Sequence, residues 1–63
     1  MEYKPLYKVA EVSKILLVNT SAVYKLIKSG ELPAIKLGEM KVRGRDLERF
    51  IDNYPAYKVD ENL

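Results

Sequence analysis

Six cations crowd the middle of this 63-residue chain: Lys25, Lys28, Lys36, Lys41, Arg43 and Arg45. Only Glu31 and Glu39 oppose them between residues 19 and 45, so that stretch carries +4 while the whole chain carries +2. Residues 50–63 reverse the sign, with Asp52, Asp60 and Glu61 against Lys58, a net of −2. A basic middle beside an acidic end suits holding a polyanion on one face better than making or breaking bonds. Thr20, Ser21 and Tyr24 lie just before the first of the cations or among them. Their hydroxyls could give such a face hydrogen bonds as well as charge.

Bond-making chemistry finds little to work with. The chain has no His, Cys or Trp. Zinc sites draw mainly on Cys and His, disulfide scaffolds need Cys, and serine-histidine and cysteine-histidine nucleophile pairs need the missing imidazole. Gly38 and Gly44 belong to no phosphate-cradling loop, since no G-x-x-x-x-G-K-[ST] run occurs. Asp46 and Glu48 stand two apart on an expected helix and diverge, and Ser13 and Ser29 have only lysine as a base. These residues read as structural or solvated, so no enzyme, cofactor or metal site is expected. The longest apolar run is four residues, Ile15 to Val18, which leaves no membrane span and no signal-peptide core. A soluble, intracellular domain is expected. At 48% apolar and 32% charged the balance is globular, and 63 residues hold one small domain.

Three helices and a hairpin must position the cations. Residues 1–6 show no period and read as a loose arm, with Pro5 biasing Lys4 toward extended backbone. Val9, Val12, Ile15 and Leu16 form a helical stripe over residues 9–17. Lys8 is a poor cap for it, but Glu11 is placed to reach back to the backbone of residue 8. Asn19 is a good N-cap for a second helix with Val23, Leu26 and Ile27 inward, and Gly30 is placed to end it. A link of one or two residues between these helices suits a helix-turn-helix. The period then changes to two. Gly38-Glu39 fits a type II′ turn that sets Leu37 opposite Met40, Lys36 opposite Lys41 and Ile35 opposite Val42, with the four apolar residues on the core face. Lys36 and Lys41 would then oppose each other on the solvent face, a repulsion that a phosphate lying across both removes. A third helix over residues 45–51 turns Leu47, Phe50 and Ile51 inward, with Gly44 as its cap, and Pro55 ends it by about Tyr54. The domain is expected over residues 7–54, with residues 55–63 as a tail.

The expected fold is therefore mainly α with a small β-hairpin, a winged helix-turn-helix in the order helix, helix, hairpin, helix. In that fold the second helix packs one face on the domain and offers the other to a DNA major groove. Thr20 and Ser21, near its start, are best placed for base edges. Lys25 and Lys28 can reach phosphates or a guanine edge, and otherwise form a solvated helix face. Tyr24 either meets a sugar or phosphate or packs half-buried against the wing. The hairpin, with Lys36, Lys41 and Arg43 and the neighbouring Arg45, is the expected wing over the backbone or minor groove. The bland alternative for it is an edge whose charges discourage aggregation.

The residues that carry this pattern resemble a known family. Tyr7-Lys8-Val9-Ala10-Glu11-Val12-Ser13-Lys14-Ile15-Leu16, the run Val18-Asn19-Thr20-Ser21-Ala22-Val23-Tyr24-Lys25-Leu26-Ile27-Lys28-Ser29-Gly30-Glu31-Leu32-Pro33-Ala34-Ile35-Lys36-Leu37-Gly38 and the closing Val42-Arg43-Gly44-Arg45-Asp46-Leu47 look like the excisionase-family winged helix-turn-helix domain. That family is related to the DNA-binding domain of MerR-type regulators. The resemblance covers about residues 7–52. Three departures stand out: Leu17 where the family usually has Gly, Lys8 where it has a Thr or Ser cap, and Met40-Lys41-Val42 where family wings often carry an Arg-Trp-Arg-like strand. If the backbone at Leu17 is left-handed, the leucine costs about 1 kcal/mol.

The resemblance implies a small binder of double-stranded DNA, bacterial or phage-encoded, cytoplasmic and nucleoid-associated. The preferred role is a recombination directionality factor that binds and bends DNA near attachment sites and assists an integrase. A small transcriptional regulator of a phage or mobile element and a protein-interaction module on the same fold are the alternatives. A chain little larger than its binding domain suggests weak single-site affinity, hence cooperative self-association on DNA. The acidic tail, with Tyr54, Tyr57, Asp60 and Glu61, could contact a neighbour or the integrase, or be disordered. With about five phosphate contacts, the log–log salt slope of binding is expected near −4 to −5.

Overall fold

A computed structural model describes residues 2–57. In chain order these form β1 (Leu6–Lys8), α1 (Val9–Leu16), α2 (Thr20–Lys28), β2 (Ile35–Leu37), β3 (Glu39–Arg43) and α3 (Gly44–Asn53). The strands make one antiparallel sheet in the order β1-β3-β2. Three helices with a β wing match the fold read from the sequence, with one strand more than expected.

Local chemistry accounts for most helix ends. Lys8 has no side-chain acceptor, so α1 is capped only from within: Glu11 Oε1 accepts the Lys8 backbone N–H at 2.8 Å. The helix closes on Leu17, whose φ of 61° and ψ of 40° are left-handed, with the Val18 N–H donating back to the Ser13 carbonyl at 3.0 Å. Asn19 Oδ1 caps α2 by accepting the Ala22 N–H at 2.8 Å. Beyond α2, Gly30 takes a φ of +84°, as expected of the residue that ends it. Pro55 keeps Tyr54 extended, at φ −68° and ψ 131°, and α3 stops at Asn53.

The core joins all parts of the chain. Tyr7, Val9, Val12, Val23, Leu32, Val42 and Leu47 are buried together, with Leu16, Leu26, Ile27, Met40 and Phe50 packed around them. Val9, Val12, Val23, Val42 and Leu47 are stripe positions of the sequence reading. Tyr7 and Leu32 are additions, lying just ahead of the first helical stripe and in a connecting loop.

Three expectations are corrected. The segment before Tyr7 is anchored rather than loose. Leu6 pairs with Arg43 and Tyr7 with Val42, the Lys4 N–H donates to the Tyr7 hydroxyl at 2.8 Å, and Pro5 accepts the Gly44 N–H at 2.9 Å. The free edge of β3 supplies partners for three residues too few to show a period.

The hairpin register is shifted by one. Ile35 pairs with Lys41, Lys36 with Met40 and Leu37 with Glu39, leaving Gly38 alone at the tip with φ +76°. A one-residue slip turns every side chain of a strand to the opposite face. Met40 and Val42 keep the inner face, but Ile35 and Leu37 leave it, and Leu37 is 55% exposed. The buried cluster is filled from the helices and from Tyr7, Leu32 and Val42, so the core holds without Ile35 and Leu37. On the outer face Ile35 and Leu6 line one hollow.

Finally, α3 starts at Gly44, with Arg43 rather than Gly44 as its N-cap, and Ile51 is exposed rather than inward. Gly44 is needed for a different reason: a Cβ there would lie 1.8 Å from the Lys4 carbonyl oxygen. The tail expected over residues 55–63 lies from residue 58 onward outside the described residues.

Candidate nucleic-acid interface

Leu17 and Asn19 set the start of α2, and Val23 anchors its inner side with no exposed surface. The opposite side carries Thr20, Ser21, Tyr24, Lys25 and Lys28, all exposed. Successive residues of a helix turn by about 100°, which groups Ser21, Lys25 and Lys28 at the centre of that side, with Thr20 and Tyr24 along one flank. Tyr24 is 45% exposed, so its ring is partly covered while still reaching the surface. Lys25 also stands at the rim of an apolar groove formed with Leu16, Val18, Leu26, Phe50 and Tyr54. The five residues singled out on this helix therefore do share one surface.

The four wing cations do not. Lys36 pairs with Met40 and so shares the helix-side face of the sheet, at its exposed margin. Lys41 pairs with Ile35 on one side and Lys8 on the other, and Arg43 pairs with Leu6, so both occupy the outer face. Arg45, in the first turn of α3, lines a hollow with Arg43, Lys4, Leu6 and Ile35. The expected opposition of Lys36 and Lys41 is replaced by an opposition of Lys8 and Lys41.

Lys8 was missing from the basic residues read in the sequence. A signal was there, since Leu6-Tyr7-Lys8 alternates around an inward Tyr7, but three residues are too few to stand out. Lys4 was also missed. Its Nζ lies 2.7 Å from Glu11 Oε2 and 5.2 Å from the centre of the Tyr7 ring. The hydrogen bond to Glu11 holds the Lys4 ammonium above its usual range. The same bond, helped by the Lys8 N–H, holds the Glu11 carboxyl below its own. This pair ties the N-terminal segment to α1 and leaves Lys4 already neutralised.

Two short-linked helices with an exposed, cationic second helix and a neighbouring hairpin are the geometry of a helix-turn-helix. A family model described as a helix-turn-helix domain matches residues 6–54. The chain belongs to this family. That membership makes it a DNA-binding domain, and the matched span runs from β1 just past α3. No curated protein and no solved structure matches the chain. Among the described residues no group of His, Cys, Asp and Glu side chains could hold a metal ion. No helix among them is long and apolar enough to cross a membrane.

Proposed function

We propose that this helix-turn-helix domain binds double-stranded DNA sequence-specifically, with α2 in the major groove. The observation that carries this is the outward side of α2, where Thr20 and Ser21 in the first turn stand beside Tyr24, Lys25 and Lys28. Short hydroxyl side chains at the start of a recognition helix reach base edges, and the lysines behind them reach phosphates. Lys36 adds a wing contact from the helix-side face of the hairpin.

With Lys25, Lys28 and Lys36 on the duplex, about three counterions are displaced, so the log–log salt slope should be near −3. This is shallower than the slope expected when every wing cation is counted. Fluorescence anisotropy on a duplex across a salt series measures it. A duplex affinity that is absent even at low salt would overturn the reading and favour a protein-interaction role for the fold.

Within DNA binding, the role is that of an excisionase-like factor that bends its site and assists an integrase. The support is the residue pattern of α1, α2 and the first strand of the wing, which resembles that family. Bending is read by energy transfer between dyes at the two ends of a bound duplex. An integrase gene adjacent to this one, whose excision reaction requires the protein, would support the role. Binding without bending at a promoter would point to a transcriptional regulator instead.

A further inference from the structure

An apolar groove of about 500 Å³ lies where α3 comes to its end. It is lined by Leu16, Val18 and Leu26 from the helix-turn-helix and by Phe50, Ile51 and Tyr54 from the end of α3. The Phe50 and Tyr54 rings stand 5.1 Å apart between centres. Val18, Ile51 and Tyr54 are all exposed, so nothing among the described residues covers the groove. Contiguous apolar surface left open on a small domain marks a place where something docks. Lys25 is the only charged residue in the lining. The occupant that suits such a groove is apolar, with negative charge at its edge.

The chain carries a segment of that kind close by. Tyr54, itself a groove residue, has extended backbone, and Pro55 cannot continue the helix. The chain therefore leaves α3 at the groove instead of running past it. The described residues stop three positions later, at Tyr57. Residues 58–63, which lie outside them, read Lys-Val-Asp-Glu-Asn-Leu. Val59 and Leu63 are apolar, and the acids Asp60 and Glu61 stand between them. Six residues span at most about 20 Å when extended, and residues 55–57 supply the length in which to turn back.

We propose that the groove takes residues 58–63 of its own chain, with Val59 and Leu63 against its apolar lining and the acids beside Lys25. The tether matters as much as the contacts. Six residues bind weakly alone, but a short tether holds them at an effective concentration on the order of millimolar. Docking is therefore partial and readily displaced. Lys25 also belongs to the outward side of α2, so the docked segment and a DNA phosphate compete for it. That consequence rests on the duplex-binding reading of α2, while the docking itself does not. With about two-thirds of the molecules docked, duplex affinity is lowered about threefold.

The test is NMR on the full chain at low salt, followed by duplex titration. The methyl groups of Val59 and Leu63 should show Overhauser contacts to the rings of Phe50 and Tyr54, independent of protein concentration. In Val59→Ser/Leu63→Ser these contacts should vanish and the amides of Val18 and Ile51 should shift. Duplex affinity should rise about threefold although the net charge is unchanged. The variant keeps every residue of the buried cluster, so its fold is preserved. Absence of the contacts in the wild type would overturn the proposal. So would contacts that strengthen with concentration, which put the segment of a second copy in the groove. An affinity gain in Asp60→Asn/Glu61→Asn with none in the Val59 and Leu63 variant would overturn it as well, since the acids then act through charge alone. A wild-type protein that shows the contacts yet binds no duplex would remove the α2 reading and leave the docking standing.

Discussion

The Cα of Gly44 sits so close to the carbonyl of Lys4 that a Cβ on it would lie 1.8 Å from that oxygen, with the Lys4 carbonyl carbon at 3.0 Å. The partner atoms are backbone, so they cannot swing aside as a side-chain tip could. Gly44 also donates its N–H to Pro5. This close approach bolts the N-terminal segment to the start of α3 and thereby holds β1 against β3.

Gly44→Ala should therefore push residues 4–5 off the start of α3. Overpacking of this kind costs about 1–3 kcal/mol. Urea denaturation should show the loss, and amide exchange at Tyr7 and Val42 should accelerate as the β1–β3 pairing loosens. Stability equal to wild type would mean that the segment is not held where the structure puts it.

These contacts show where sequence reasoning stops. The ends of α2 and α3 could be read because Asn19, Gly30 and Pro55 act locally, each on the backbone within a few residues of itself. Strand β1 could not be read, because Leu6–Lys8 becomes a strand only by pairing with residues some 35 positions later. The register failed for a related reason. Gly38 alone and Gly38-Glu39 are both acceptable turns, and the apolar Ile35 and Leu37 favoured the register that buries them. Leu32 and Tyr7, which no period announces, fill the core in their place. On α2 the outward side was legible because a stripe of Val23, Leu26 and Ile27 leaves the other side outward wherever the helix packs. On the wing, one residue of slip turned Lys36 to the inner face, away from Lys41 and Arg43, which kept the outer one.

Glu11 bridges the same N-terminal region by taking Lys4 Nζ on one oxygen and the Lys8 N–H on the other. Both bonds favour its ionised form, so its folded pKa falls below the ordinary 4.5. A depressed carboxyl contributes stability that is present above the unfolded pKa and lost as pH falls through the folded one. Lys4 is shifted the other way, so its share is present below 10.5 and lost as pH rises through its raised value. The melting temperature of Glu11→Gln should thus lie below wild type near neutral pH. The two should converge in acid, below the depressed pKa of Glu11. A gap that is unchanged at low pH would show that the charge of Glu11 is not what matters.

Leu17 holds a left-handed conformation at 88% exposure. Its side chain buries almost nothing, so its replacement forfeits no packing. Glycine enters this region without the Cβ clash, though it loses more chain entropy on folding. Leu17→Gly should therefore raise stability by about 0.5–1 kcal/mol, measured by chemical denaturation at unchanged m-value. DNA affinity should stay the same or rise slightly, since the turn that aims α2 keeps its shape. A destabilised Leu17→Gly protein would mean that the turn is not left-handed.

The division of labour on α2 makes the sharpest demand on the proposed DNA interface. Lys25, Lys28 and Lys36 are assigned to phosphates, which look alike at every base pair. Replacing any of them with Ala should weaken binding to all duplexes alike and flatten the log–log salt slope by about 1. Thr20 and Ser21 stand in the first turn, where side chains are short and near the groove floor. Changing them should leave the salt slope alone and alter which sequences are preferred, by about 1–3 kcal/mol per base pair affected. Selection from a randomised duplex pool, run on each variant, reads both effects at once. If the lysine variants changed the preferred sequence, or the Thr20 and Ser21 variants lost all duplexes equally, α2 would not be lying in the groove as a recognition helix.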